Sequence, residues 1–303
     1  MIKKLLLVAA TNKRLERTVS TNRFTRDLVS RYVAGNTLDD ALAATRELNR
    51  HGIDVSLDLL GETVEHLDES KVAADAYVEA IQAIAEHAPG TTVSIKLSQL
   101  GIGLDPVVCA AHLNTLLKAA TKADVLIEVD MEHSSVGPAE LEAFRVALAE
   151  HPDTRVAIQA AMRRTPLDLQ SFVDVKPRIR LVKGAFLETR DKALLDKDDI
   201  TAQYLYLTDY ALENLPDPAF GTHDDVCIEH VKQTAVRLGV DRKDYEFQML
   251  YGVRRDVQRK LADEGYRIRV YLPYGTEWYP YLMRRMAERP ANLIFFLRSL
   301  VGG

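Results

Sequence analysis

The hexapeptide "GIGLDP", Gly101 to Pro106, decides between two folds. An open doubly wound sheet that binds a dinucleotide needs G-x-G-x-x-G after a strand, the third glycine letting helix and strand pack closely. Here Pro106 stands in the third position, so the fingerprint fails at its last residue. Around it lie eight short β-rich runs separated by longer helical stretches. They are "IDVSLDLLG" (53–61), "TVSIKLS" (92–98), "VLIEVDM" (125–131), "RVAIQA" (155–160), "RIRLVKG" (178–184), "AFGTH" (219–223), "YEFQML" (245–250) and "YRIRVYLP" (266–273). Strands alternating with helices imply parallel pairing through right-handed crossovers. A count of eight then predicts a closed (β/α)₈ barrel. The doubly wound alternative is left without its phosphate-binding turn.

The first fifty residues look helical instead. In "NTLDDALAATRELNRHG" Thr37 can cap, Asp40 sits three residues on, Leu38, Leu42, Thr45 and Leu48 share a face, and Gly52 follows the end. In "TPLDLQSF", Thr165 can cap with Pro166 at the first helical position. No Ser/Gly-rich linker, repeat or low-complexity tract divides the chain. The expected organisation is an N-terminal helical arm over 1–50, packing on the barrel or on a second subunit, and a barrel catalytic domain over 51–303. The tail "NLIFFLRSL" groups Leu293, Ile294, Phe295, Phe296 and Leu297, a pattern that completes a core or dimer contact more often than it touches a membrane.

With 303 residues and 47% hydrophobic content the chain can bury a substantial core. A formal net charge of −5 offers no field to draw nucleic acid or an anionic membrane, which leaves small-molecule chemistry. Cys109 and Cys227 lie in helix-like stretches without metal-ligand spacing and read as buried thiols of a reducing cytosol. At the start, the apolar run "LLLVAA" is too short, and too soon followed by charge, for a signal peptide. No run approaches the ~20 apolar residues of a transmembrane helix.

In such a barrel the chemistry collects at the C-terminal ends of the strands. Those positions hold Lys96, Asp130, Glu132, Gln159, Arg163, Arg164, Arg180, Lys183, Gly184, Thr222, His223, Gln248 and Tyr271, in which cationic and amide donors dominate. Plainer roles compete for several of them. Lys96 alternates with Ile95 and Leu97, so it faces the barrel interior or mouth rather than snorkelling at a strand end. Asp130 could cap a turn or pair with a lysine. His223 could simply open a helix whose first turn is Asp224 and Asp225. Gly184 beside Arg180 and Lys183 would let backbone approach a ligand. His223 and His230 lack ligand spacing, so no metal is expected, and no GxSxG elbow supports a hydrolase.

Near the end of the chain, "WYPYLMRRMAERP" (278–290) sets Arg284 and Arg285 side by side among apolar residues. Exposed pairing with Glu288 would account for them at about 0.2–0.5 kcal/mol per pair. A carboxylate clamp of two guanidinium groups is the alternative. The segment alone favours the ion pairs.

The ordered segments "SIKLSQLG", "EVDMEHS", "AIQAAMRRT", "RIRLVKGAFLE", "FGTHD", "YEFQMLYG" and "RVYLPYGTEWYPYLMRRMAERPANLIFFLRSL" resemble the motifs of the proline dehydrogenase family in its short monofunctional bacterial form, from about Asp54 to Leu300. The resemblance implies a distorted (β/α)₈ barrel that holds FAD without a Rossmann domain. It further implies oxidation of L-proline to 1-pyrroline-5-carboxylate, the first step of proline catabolism, with electrons passing to a membrane quinone. Arg284, Arg285 and Lys96 match the residues that grip the proline carboxylate, and Tyr271 the aromatic beside the substrate ring. Glu288 matches the acid that holds the arginine-bearing helix, so ion pair and clamp are compatible. For the flavin it carries over Met131, Gln159, Arg180, Val182, Lys183, Gly184, Ala185, Thr222 and His223. Asp130 and Arg180 match the catalytic positions, Arg180 to stabilise negative charge on reduction and Asp130 to orient the cations.

Phe186 stands where the family commonly has tyrosine, which leaves substrate breadth open. A 4-hydroxyproline or N-alkylproline dehydrogenase is therefore a related alternative. A Schiff-base aldolase using Lys96 or Lys183 is a more distant one, and a barrel that only binds a partner is a third. The expected setting is cytoplasmic, with a homo-oligomer and peripheral contact at the inner face of the plasma membrane as further expectations.

Overall fold

The computed structural model describes residues 29–61, 63–172 and 174–288. Strands β1 (Asp54–Leu59), β2 (Thr92–Ile95), β3 (Ile127–Val129), β4 (Arg155–Gln159), β5 (Arg178–Val182), β6 (Ala219–Gly221), β7 (Glu246–Leu250) and β8 (Arg267–Tyr274) pair in parallel in sequence order. β8 closes on β1, with Asp54 opposite Arg269 and Ser56 opposite Tyr271. All eight expected runs form strands, and the closed barrel is the predicted one.

Helix α1 (Leu38–Asn49) precedes β1. The crossovers are α2 (Leu67–His87), α3 (Pro106–Ala123), α4 (Gly137–Glu150), α5 (Thr165–Gln170), α6 (Lys197–Asn214), α7 (Asp225–Leu238) and α8 (Arg255–Asp263), and α9 (Trp278–Glu288) follows β8. Among the described residues no helix is long and apolar enough to cross a membrane. Residues 1–28, most of the expected arm, and the tail from 289 onward lie outside the described residues, as does the side chain of Glu288.

The hexapeptide at 101–106 shows why the dinucleotide turn fails. Pro106 opens α3, where a missing N–H costs nothing, and the Asp105 carboxylate accepts from the Val107 and Val108 N–H groups at 2.8 and 3.3 Å. The helix N-terminus that would greet a phosphate is satisfied by its own chain. Thr37 caps α1 in a reciprocal box with Asp40, and Ala41, Leu42 and Thr45 are its buried face. Thr165 departs from expectation: Arg164 precedes the first helical residue, and the buried Thr165 hydroxyl donates to the Gln159 carbonyl at 2.6 Å. Burial of that hydroxyl against a strand-end carbonyl, which also accepts from the Met162 N–H, outweighs capping.

Strand alternation divides the residues by chemistry. Val55, Leu57, Val93, Ile95, Ile127, Val129, Ile179, Leu181, Ile268 and Val270 pack outward against the helices with Cys109 and Cys227, both buried and free. The polar positions between them point inward and bond across the barrel, for example from Arg180 on β5 to Ser94 on β2 at 3.1 Å.

A second apolar cluster ties the segment before α1 to α9. Tyr32 and Val33 pack with Leu60, Tyr279, Tyr281, Leu282, Met283 and Met286. The Ala34 N–H donates to the Pro273 carbonyl and Gly275 N–H to that of Gly35, both at 2.9 Å. Gly252, at φ +76°, lies so near this strap that a Cβ there would stand 1.6 Å from the Arg31 carbonyl oxygen.

Candidate active site

The barrel interior is built of charge. At its C-terminal end Lys96, one residue past β2, donates to Asp58 of β1 and lies 3.4 Å from an Asp130 oxygen, one residue past β3. Arg180 of β5 donates to the other Asp130 oxygen. The Tyr271 hydroxyl of β8 donates to Asp130 at 2.7 Å and accepts from Lys96 at 3.3 Å. The Arg180 guanidinium also lies over the Tyr271 ring, 5.3 Å from its centroid. Four predicted site residues, Lys96, Asp130, Arg180 and Tyr271, thus form one cluster.

A deeper layer supports it. Arg180 reaches Glu128 and Gln248 at 3.3 Å each, and Gln248 donates to Glu128 at 3.0 Å and to Glu246 at 2.8 Å. Glu246 also takes Arg155 at 3.0 Å and Arg269 at 3.0 and 3.1 Å. Four buried carboxylates, Asp58, Glu128, Asp130 and Glu246, thereby balance four cations, Lys96, Arg155, Arg180 and Arg269. Such an interior is stable only while every member stays paired.

Burial alone would neutralise these groups, and the pairing reverses it. Burial acts to strip the Lys96 proton, yet Asp58 foremost, with Asp130, holds the ammonium well above its ordinary pKa. Burial pushes Asp130 up, but Arg180 and Lys96 bring its carboxyl below the usual range, and Arg155 and Arg180 do the same for Glu128. Tyr271 is driven well above its ordinary value by burial and by Asp130 and Asp58. At neutral pH the cluster therefore presents an ammonium, a guanidinium and a neutral hydroxyl around an ionised carboxylate.

The remaining predicted residues form the rim beside the cluster. Gln159 ends β4 and donates to the Met131 and Glu132 carbonyls at 3.2 and 2.8 Å. Gly184 has φ +104°, and a Cβ there would come within 2.8 Å of Gln159 Oε1, so only glycine leaves this backbone bare. Val182 and Lys183 carbonyls accept from Ala160 and Ala161, which extends the β4–β5 pairing to the rim. Ala185 is half-buried beyond them. Lys183 donates to Thr201 and to Asp224, both at 2.7 Å, while Asp224 caps α7. Thr222 accepts from the Asp224 N–H at 3.1 Å, and His223 Nε2 accepts from the Leu250 N–H at 2.9 Å. His223 thereby ties to the end of β7, so it does more than start a helix.

Arg284 and Arg285 lie on α9. Arg285 is buried with its guanidinium over the Tyr281 ring, 5.2 Å from the centroid, while Arg284 is half-buried. Arg164, at the rim of β4, makes a helical ion pair with Asp168 at 2.7 Å, the plain surface role. His230 pairs with Asp209 at 2.8 Å rather than turning toward His223. Among the described residues no group of three or more His, Cys, Asp or Glu side chains is placed to hold a metal ion.

Two carboxylates of the interior network escape a reading of strand ends alone. Asp58 lies one turn of alternation after Ser56 in "SLDLL", and Glu128 two residues before Asp130; the period-two spacing of polar residues in each run marks both. Asp224, which fixes Lys183, carried no signal beyond its capping position.

Residues 41–298 match a family model described as proline dehydrogenase. The chain is 37% identical over 301 residues to proline dehydrogenase 1 of Bacillus subtilis (strain 168), covering 99% of both chains. It is 38% identical over 286 residues to the proline dehydrogenase of Deinococcus radiodurans, covering 91% of each. Among solved structures, proline utilization A (PutA) from Bdellovibrio bacteriovorus inactivated by N-propargylglycine superposes with a TM-score of 0.83 over 87% of this chain and 33% of that one. At 24% identity, that likeness speaks for the fold.

Proposed function

Since the chain belongs to the proline dehydrogenase family, and so is an oxidoreductase, we propose that it oxidises L-proline to 1-pyrroline-5-carboxylate with FAD and passes the electrons to a quinone. The observation that carries the reading is the Lys96–Asp58–Asp130–Arg180–Tyr271 cluster at the C-terminal mouth of the barrel.

The rim suits a flavin nucleotide. Gly184 leaves open backbone, Lys183 offers a part-exposed ammonium, and Arg180 supplies a cation that stays charged. Met131, Gln159, Val182, Ala185, Thr222 and His223 complete the proposed holding set. When bound, FAD supplies the hydride acceptor.

The chain's own residues bind and orient. Lys96, kept protonated by Asp58, holds one side of the proline carboxylate, and Arg284 and Arg285 hold the other through directed guanidinium bonds. Tyr271 packs against the ring. A proline so held would give up hydride from C5 as its nitrogen lone pair forms the C=N bond, which would require the amine to arrive unprotonated. Asp130 is a poor proton acceptor, because Arg180 and Lys96 keep it ionised below the usual carboxylate range. Its role is to hold Arg180 and Tyr271 in place. The same ion pairs weigh against a Schiff-base aldolase, whose lysine must lose its proton to attack.

The test is the visible spectrum of the purified protein before and after anaerobic addition of L-proline, with 4-hydroxyproline in parallel. A flavin spectrum bleached by proline is expected. Flavin that proline fails to bleach overturns the substrate, and failure to take up FAD on reconstitution overturns the cofactor.

A further inference from the structure

The loops after β3 and β5 meet across the end of β4, and a buried carboxylate joins them. Glu188, with its side chain 5% exposed, accepts from the Ser134 N–H at 2.7 Å and the Ser134 hydroxyl at 2.5 Å. Beside it, His133 Nε2 lies 3.3 Å from the Leu187 carbonyl and 3.5 Å from Glu188 Oε1. The His133 ring meets Phe186 edge-on, with centroids 6.3 Å apart. Beneath this contact, Gln159 grips the Met131 and Glu132 carbonyls from β4 and stands against Gly184. Glu132 is itself fixed by the Ser98 N–H at 3.1 Å and hydroxyl at 2.8 Å. Both loops are thus pinned at two points, Gln159 and Glu188, with the rim residues Met131, Gly184 and Ala185 between.

None of the hydrogen bonds made by Glu188 reaches the Lys96–Asp130 cluster. A carboxylate taken out of water must be held by strong partners, and two short bonds from one serine make its release costly. A rim ordered before a ligand arrives also loses less entropy when the ligand binds.

We propose that Glu188 is a positioning residue, a latch that closes the β3–α4 and β5–α6 loops across β4 and fixes the gap between Met131 and Gly184–Ala185 in which the flavin is held. The proposal rests on the flavin reading above. Phe186, through its perpendicular ring contact with His133, belongs to the same latch.

The experiment titrates the flavin-stripped full chain with FAD by fluorescence and follows amide exchange in 131–136 and 184–188. Wild type is compared with Glu188→Ala, Glu188→Gln, Ser134→Ala and the Glu188→Ala/Ser134→Ala double variant. Expected are a Kd for FAD raised roughly tenfold or more in Glu188→Ala, a smaller rise in Glu188→Gln, and a double variant no worse than Glu188→Ala. Exchange should quicken in both loops together. A wild-type Kd in Glu188→Ala overturns the latch. Should that variant not fold, Glu188→Gln and Ser134→Ala with wild-type Kd and loops that exchange independently overturn it equally. If the wild type takes up no flavin, the functional reading falls; the latch then stands or falls on whether Glu188→Gln quickens exchange in both loops of the flavin-free protein.

Discussion

Each site residue does its work through a neighbour, and Lys96 shows it best. Its ammonium keeps its proton because Asp58 faces it in a buried setting. Asp58→Asn should let the Lys96 pKa fall, so that KM for proline, close to wild type near pH 6, climbs relative to wild type as pH rises through the alkaline range; KM profiles that run parallel to wild type between pH 6 and 10 would remove Asp58 from the binding machinery. Arg284→Met or Arg285→Met is expected to raise KM for proline by tenfold or more while flavin stays bound, since a charge-assisted bond contributes about 1.5–3 kcal/mol. An unchanged KM in both returns the pair to the ion-pair reading. Lys96, Asp130, Arg180 and Tyr271 were legible in sequence because strand ends and alternation locate them. Asp58 and Glu128 were overlooked because their partners come from other strands, and cross-barrel distances leave no trace in local spacing. For Arg284 and Arg285 sequence spacing alone favoured Glu288, and their assignment to the carboxylate came only through resemblance.

Elements were easier to read than contacts. The eight strands follow from β-rich runs and turn residues, and α1 from the Thr37 box. Thr165 was misread because a hydroxyl that can cap can also serve a buried carbonyl, and only packing decides between them. The strap across α9 was not legible either, since it joins residues about 250 positions apart. Its effect can be isolated at Gly252, where an added Cβ meets the Arg31 carbonyl and the backbone sits in the left-handed region. Gly252→Ala should displace Tyr32 and Val33 from α9, raising KM for proline severalfold with kcat near wild type. Steady-state kinetics on the flavin-loaded protein checks this, and a drop confined to kcat would contradict it.

The whole molecule inherits a pH dependence from its buried carboxyls. Asp130 and Glu128 lie below their ordinary values, so their stabilisation is present above about pH 4 and is lost as pH falls toward their folded-state values. Glu140 runs the other way. Burial, then the Glu132 carboxylate, pushes it up to about 9, so between its ordinary value and 9 the folded chain holds the extra proton and stability declines with rising pH. Glu140→Gln keeps the shape and should flatten that decline, by up to about 1.4 kcal/mol per pH unit. Urea midpoints from pH 5 to 9 measure it, and parallel slopes for variant and wild type would refute the assignment. The balanced interior has a further consequence for how the chain comes together. A nascent chain that has released β1 to β4 carries Asp58, Glu128 and Asp130 against only Lys96 and Arg155; Arg180 and Arg269 arrive with β5 and β8. In a half-barrel these groups would face water, where ion pairs contribute little, so the interior pairs gain their strength only as the barrel closes. The interior pairing thereby adds cooperativity to closure, which disfavours a half as an independently inherited or exchangeable module.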